Sequence, residues 1–355
     1  MSSIMTNASA MTALQSLNAT NRSLQTVQGR ISTGYRVAEA MDNAAYWSIA
    51  TTMRSDNRAL STVQDSLGLG ASKVDTAYTG MNKVLETVDE LKVKLIAAKG
   101  KSDSDKAKIQ TEIEALQGQM KSYADAATFS GTNVLSVTSK QVAAANDGVQ
   151  ADVQIVSAFN RGADGKVTLG TIDIDVESVK LFDSGLAADV KNFGILDRKT
   201  SVYATAADQK LYDTAYAAGL TAGKTDLAAH ADGIAAVTGS PTKIDNISVH
   251  NLDITAANVT DEIIMQMISK VENALAALTD TATTLGAAKK QIDLQKNFTT
   301  SLMDSIDRGV GQLVDADMNK ESTRLQALQV QQQLGIQALS IANSNSQSIL
   351  ALFKG

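Results

Sequence analysis

The chain of 355 residues carries a net charge of -6 and no dense Lys/Arg patch, which argues against a nucleic-acid partner. It has no cysteine, so disulfides and thiolate metal sites are excluded, and its single proline, Pro241, leaves long helices uninterrupted. Aromatics make up only 4%, which speaks for few large globular cores. No apolar run reaches the roughly 18 residues of a membrane span, so no membrane insertion is expected.

The first eighteen residues have neither the basic flank nor the continuous apolar core of a signal peptide. Ala10, Ala13, Leu17, Thr20, Leu24, Val27 and Ile31 recur in steps of three and four and predict a helix with one apolar face. The only charges before Tyr46 are Arg22, Arg30, Arg36, Glu39 and Asp42. A helix so poor in charge is either packed on its own chain or needs other copies of itself. Gly34 is placed to end it in a left-handed cap, and residues 32–43 read as a connection.

From Tyr46 to Leu95 the same alternation is sustained through Ile49, Met53, Leu60, Val63, Leu67, Val74, Ala77, Met81, Val84, Val88 and Leu91. This predicts one continuous helix, roughly 75 Å long at about 1.5 Å per residue, that packs on other helices. Asp56 and Gly70 break the seam and are candidate points of contact or sliding between copies. After a Gly/Ser/Asp turn, Ser102 or Asp103 can cap an antiparallel helix with Ile109, Ile113, Leu116, Met120, Tyr123 and Ala127 on its apolar side. The period then switches towards two over Phe129–Leu135, the mark of a short hairpin.

Residues 150–257 have a different texture. Strands are expected over Gln154–Phe159, around Val167–Val176 and over Ile247–Ile254, with weak helical period over Tyr203–Thr238. At Thr260 the heptads return and run through Ile264, Ile268, Val271, Leu275, Leu278, Leu285, Ile292, Met303, Ile306, Val310 and Leu313. A final charge-poor segment follows, with Leu325, Leu328, Gln332, Gly335, Leu339, Ala342, Ile349 and Phe353 on one face and Val330, Leu334, Ile336 and Ile341 off it. That apolar surface is wider than one partner helix would cover, which argues for self-association. The first and last segments should pair, as should the two long ones.

Signals for catalysis are poor, and no catalytic, cofactor-binding or metal-binding residue is assigned. His230 and His250 lack a second ligand at metal spacing and read as structural. Gly68-Leu69-Gly70 and Gly309-Val310-Gly311 lie inside helical heptads and not at a strand-turn-helix phosphate site, so close approach of helices is the better reading. Asp103, Asp105, Asp315, Asp317 and Glu321 stand near helix starts, where a carboxylate is favoured. Met5, Met41, Met53, Met81, Met265 and Met267 read as packing residues.

The stretch Gly29-Arg30-Ile31-Ser32-Thr33-Gly34-Tyr35-Arg36-Val37, with Asp42-Asn43-Ala44-Ala45 and Ile49-Ala50, resembles the N-terminal signature of bacterial flagellins. Phe129–Leu135 is similar to that family's hairpin, and Leu313–Asp317 to the element before its last helix. Gln331–Gln333, Ile341–Asn343 and Ile349–Leu352 resemble its C-terminus. Together the matches span roughly residues 1–137 and 260–355. Asn43, Tyr46 and Met41 stand where the family pattern has Asp, Gly and Lys; such departures are similar to those of rhizobial-type flagellins.

The resemblance implies a mainly α fold: a long antiparallel helical bundle or coiled coil built from both chain ends, with a small α+β insertion. The expected division is 1–45 plus 315–355 as an inner terminal-helix coiled coil, 46–149 plus 258–314 as a long-helix bundle, and 150–257 as an outer variable domain. It implies a structural protein, not an enzyme, that polymerises with itself or with other flagellins into the extracellular flagellar filament for swimming motility. It further implies export without a cleaved signal peptide, and dealings with the export apparatus, an export chaperone, the filament cap and hook-junction proteins. No cofactor is implied. Alternatives are a hook-filament junction protein, or a secreted adhesin or helical translocator. Expected packing residues are Leu17, Leu24, Ile31, Leu325, Leu328, Leu339, Ile349 and Phe353 in the inner layer and Leu60, Leu67, Val88, Leu91, Leu275, Leu278 and Ile292 in the next. The signature residues are Arg30, Ser32, Gly34, Arg36, Asp42, Asn43, Ala44 and Ala45.

Overall fold

The computed structural model describes residues 7–139, 149–162, 164–185, 193–237 and 243–354, with side chains described except at 206 and 345–354. The chain falls into two compact units, one formed by the N-terminal segment to Ser61 with Thr300 onward, the other by Thr62–Thr299. The elements in order are α1 (Ala8–Thr33), α2 (Ala44–Ala98), α3 (Asp103–Ala126), β1 (Thr128–Phe129), β2 (Thr132–Asn133), β3 (Ser136–Val137), β4 (Val153–Arg161) and β5 (Val167–Ile174). There follow α4 (Val176–Val179), β6 (Phe182–Asp183), β7 (Thr200–Tyr203), α5 (Ala206–Thr221), α6 (Asp226–Ala236), β8 (Lys243–Ile247), α7 (Asp261–Val314) and α8 (Met318–Lys354). The fold is mainly α, with long helices at both chain ends and small two-stranded sheets between them.

In the unit spanning Thr62–Thr299, α2 and α7 run antiparallel, since Lys92 pairs with Glu272 at 2.8 Å and Asp75 with Lys289 at 2.6 Å. Their seams meet in one core that holds Leu67, Val74, Met81, Val84, Val88, Leu91 and Leu95 from α2 with Met267, Val271, Leu278, Leu285 and Ile292 from α7. The helix α3 adds Ile113, Met120 and Ala124. It starts at Ser102, whose hydroxyl accepts the Asp105 N–H and donates to its carboxylate at 2.9 Å. That hydroxyl and Lys108 hold the Asp105 carboxyl below its ordinary pKa.

The hairpin β1–β2 turns on Ser130 and Gly131, both at positive φ, as a two-residue type I′ loop requires. The Asn133 amide secures it. It donates to the Ala124 carbonyl at 2.7 Å and accepts from the N–H groups of Leu135 and Ser136 at 2.8 and 3.0 Å.

The strands expected near 154–159 and 167–176 form the antiparallel hairpin β4–β5, and the weak helical stretch forms α5 and α6. The strand expected over Ile247–Ile254 does not form as such: β8 ends at Ile247, and Val249–Asn251 is a 3-10 turn. Its alternating apolar residues are buried, but against α3. The Gln110 and Gln117 side chains take the place of a neighbouring strand, donating to the carbonyls of Val249 and Leu252 and accepting the Ile254 N–H.

The glycine pairs do not share one explanation. Gly70 is met by Ile155 of β4 and not by a helix, and Gly68 faces open space. Gly309 faces Met53 of α2, and Gly311 faces Asp315. Gly70 is thus filled by the chain itself and is no free contact point for another copy. Met41 and Met265 are exposed, so the packing role expected of them is corrected. Met41 lies between helices, and Met265 faces away from the core that takes Met267. Met5 lies outside the described residues.

Candidate functional site

The other unit is built around α1 and α8. Asn7 donates its amide to the Ala342 carbonyl at 2.9 Å, Gln332 donates to Asn21 at 2.8 Å, and Arg30 meets Glu321 at 3.4 Å. The falling numbers on α8 against rising numbers on α1 make the pair antiparallel. All the described seam positions are inward: Ala10, Ala13, Leu17, Thr20, Leu24 and Ile31 half-buried with Val27 buried, and Leu325, Gln332, Gly335, Leu339 and Ala342 half-buried with Leu328 buried. Gly335 lets the helices close, because the Leu17 Cδ1 lies 3.2 Å from where its Cβ would stand. The side chains of Ile349 and Phe353 lie outside the described residues.

Pairing covers only one side of α8. Val330, Leu334, Ile336 and Ile341 are each more than half exposed, as are Met11 and Leu14 on α1. At about 100° per residue, Val330, Leu334 and Ile341 form one stripe opposite the face that meets α1. An apolar stripe on that side gains nothing from the intramolecular pair.

The signature residues build the junction between α1 and α2. Gly34 has φ +76° and donates its N–H to the Arg30 carbonyl, a conformation glycine adopts without steric cost. Its own carbonyl accepts the Ala316 N–H at 2.8 Å, while the Arg36 and Val37 N–H groups both reach the Val314 carbonyl. The Arg36 guanidinium donates to the Leu313 carbonyl at 2.8 Å. The Asp42 carboxylate accepts the N–H groups of Ala38 and Glu39, and Asn43 caps α2 by accepting the Tyr46 N–H at 3.1 Å. Ser32, Ala44 and Ala45 are exposed. The junction between α7 and α8 is thereby tied to the one between α1 and α2, and Asp317 caps α8. Sequence reasoning missed this cross-tie, because hydrogen bonds between two connections leave no periodic trace.

Under the junction, Val37, Ala50, Val310 and Val314 form a small core. Here the seam expected on α2 is corrected: Tyr46 and Ile49 are exposed and Ala50 is buried. The small residue faces inward because Val37 already fills the space beside the helix. Trp47, the only tryptophan, is 39% exposed on the same turn.

Among the residues named for the long helices, Leu60, Leu67, Val88, Leu91, Leu278 and Ile292 are buried within the single chain and Leu275 is half-buried.

The chemistry-bearing side chains are engaged in structure. His230 contacts the Tyr212 hydroxyl through Nδ1 at 2.5 Å, and His250 stands edge-on to Phe182. Burial pushes both imidazoles below their ordinary pKa. Among the described residues no group of three His, Cys, Asp or Glu is placed to hold a metal ion. No helix among them is long and apolar enough to cross a membrane. Lys180 is fully buried between Glu177 and Asp183, at 2.9 and 2.8 Å, a cluster that sequence patterning does not reveal.

Comparison with known proteins accords with this arrangement. The family model for the bacterial flagellin N-terminal helical region matches residues 4–152, and that for the bacterial flagellin C-terminal helical region matches residues 268–353. The chain is similar to flagellin C of Rhizobium meliloti strain 1021, 47% identical over 359 residues with 100% of each chain covered. It is also similar to the flagellin of Brucella melitensis, 44% identical over 355 residues with 100% of each covered. A solved structure of FliC from Burkholderia pseudomallei aligns with 62% of this chain and 99% of that one, at 21% identity and a TM-score of 0.29, too loose a superposition to carry an argument. Full-length identity at this level, with both terminal family regions in place, makes the chain a member of the bacterial flagellin family.

Proposed function

We infer that this chain is a structural subunit that polymerises into the bacterial flagellar filament and serves swimming motility, with no catalytic role. The observation that carries the reading is the stripe of Val330, Leu334 and Ile341 on α8, exposed on the side opposite α1. A burial of about 25 cal/mol per Å² of apolar surface, repeated in every subunit, favours a polymer in which other copies cover that stripe. In this reading residues 1–45 and 315–355 form the inner layer of the filament. Residues 46–149 and 258–314 form the next layer, and 150–257 face outward. Leu17, Leu24, Ile31, Leu325, Leu328 and Leu339 hold the inner layer, joined by Ile349 and Phe353.

Several flagellins of Rhizobium meliloti are similar to this chain along its whole length, and we take co-assembly with related flagellins as part of the function. We further propose, by analogy with the family, an export apparatus, an export chaperone, a cap and hook-junction proteins as partners, and a place in the extracellular filament. The test is to incubate purified monomer with sheared filament seeds. Elongation visible by electron microscopy is expected. Binding to seed ends that stops after one ring would make the chain a junction protein instead, and no binding would remove the filament reading.

A further inference from the structure

A cavity of about 320 Å³ lies among α5, β7, the residues before β7 and the N-terminal half of α7. That volume is at the lower end of the range for small-molecule sites. Its wall carries two cationic side chains, Arg198 and Lys270, together with the neutral polar groups of Gln266, Ser269 and Asn273.

Neither cation is fully used by the fold. Lys270 has three donors; it meets the Thr200 hydroxyl, and the Arg198 carbonyl at 3.5 Å. The Arg198 Nε forms an ion pair with the Asp226 carboxylate at 3.5 Å, without hydrogen-bond geometry. Asp226 is buried and also accepts from the Phe193 N–H at 2.6 Å and the Tyr216 hydroxyl at 2.8 Å. Asp213, the carboxylate on the cavity wall, accepts from Gln209 at 2.9 Å. Burial and the Arg198 charge push the Lys270 amine down to about 7, against the opposing pull of Asp213, so a bound anion would favour its protonated form. Lys270 and Arg198 thus share one cavity wall with donors to spare.

We propose that this cavity binds a small organic anion, a carboxylate- or phosphate-bearing molecule, seated between Lys270 and Arg198. The neutral amide and hydroxyl groups around them suit the uncharged polar part of such a molecule. The proposal is independent of polymerisation and concerns the full-length monomer.

The test is calorimetric titration of the full-length chain with inorganic phosphate and with glucuronate, at constant ionic strength, with glucose as the neutral control. Saturable one-to-one binding of at least one anion and not of glucose is expected; phosphate alone or glucuronate alone identifies the headgroup. Lys270→Gln and Arg198→Gln should each weaken binding about 10- to 100-fold, the loss expected for one hydrogen bond to a charged group, and Lys270→Arg should retain most of it. Arg198→Gln alters a partly exposed side chain and serves if Lys270→Gln fails to fold. Absence of saturable binding of both anions by the unaltered chain overturns the proposal. So does equal binding of glucose, or binding indifferent to Arg198→Gln.

Discussion

The Cγ2 of Ile155 on β4 stands 2.5 Å from where a Cβ on Gly70 of α2 would be. The hairpin reaches the long helix at a position where a side chain has no room. Gly70→Ala gains about 1 kcal/mol of helix propensity but incurs an overpacking cost of about 1–3 kcal/mol, so a net loss of roughly 1 kcal/mol is expected. Gly68→Ala, which faces open space, should stabilise by up to about 1 kcal/mol. Urea unfolding of both variants checks the contrast. In an Ile155→Ala background, which removes the clashing carbons, Gly70→Ala should no longer destabilise, and strictly additive effects would show that the two residues do not couple.

Gln110→Leu keeps the apolar bulk on α3 but leaves the Ile254 N–H, now bonded to the Gln110 carbonyl oxygen at 3.0 Å, buried without an acceptor. A destabilisation of about 1–3 kcal/mol is expected. Hydrogen exchange gives the local readout: the Ile254 amide should lose protection, while amides of the α1–α8 pair should not change.

Among the described residues, Asp197 is a carboxylate whose pKa burial raises. One of its oxygens accepts the Asp183 N–H at 2.7 Å, and the other has no hydrogen-bond partner. Burial raises its pKa to about 7, with the neighbouring Asp183 charge adding to the rise and Lys180 opposing it. A folded-state pKa above the unfolded value means that the native state binds the extra proton, so this group lowers stability as pH rises from about 4 to about 7. Asp197→Asn should therefore stabilise the chain at pH 8 relative to pH 4, by on the order of 4 kcal/mol. Parallel stability curves for the two proteins would contradict this.

Leu334 is 57% exposed on the outer side of α8. Leu334→Asp should leave the monomer's thermal unfolding within about 0.5 kcal/mol of the unaltered chain and abolish elongation from seeds. Leu24→Ala, on the inner face, should instead reduce the stability of the α1–α8 pair itself. Elongation at the normal rate by Leu334→Asp would show that the stripe is not an interface.

Trp47 supplies an optical readout because it is the chain's only tryptophan and is 39% exposed. If other copies cover the turn that carries it, polymerisation shifts its emission to shorter wavelength and protects it from iodide quenching. An unchanged spectrum in the filament would place that turn outside the subunit contacts.

Much of this molecule is written locally. The three-four alternation marks α2 and α7 almost to their ends, Gly34 marks the left-handed end of α1, and Ser130-Gly131 marks the hairpin turn. The excess of apolar residues on the last helix is equally visible, since a helical face follows from spacing alone. The signature residues could be recognised, but their work in tying two connections together could not be read from them.

What the sequence by itself determined is which residues become helical, which faces are apolar and which family the chain ends resemble. Only the tertiary structure decided what covers each face. Ala50 is buried in place of Ile49 because Val37 and Val310 occupy the space beside it. Val249, Leu252 and Ile254 are buried on α3 and not in a sheet because two glutamine side chains satisfy their backbone. Lys270 and Arg198, about seventy residues apart, line one cavity. Periodicity is a property of neighbours along the chain, whereas the filling of a face depends on residues far apart in sequence, and that choice is made only when the elements pack.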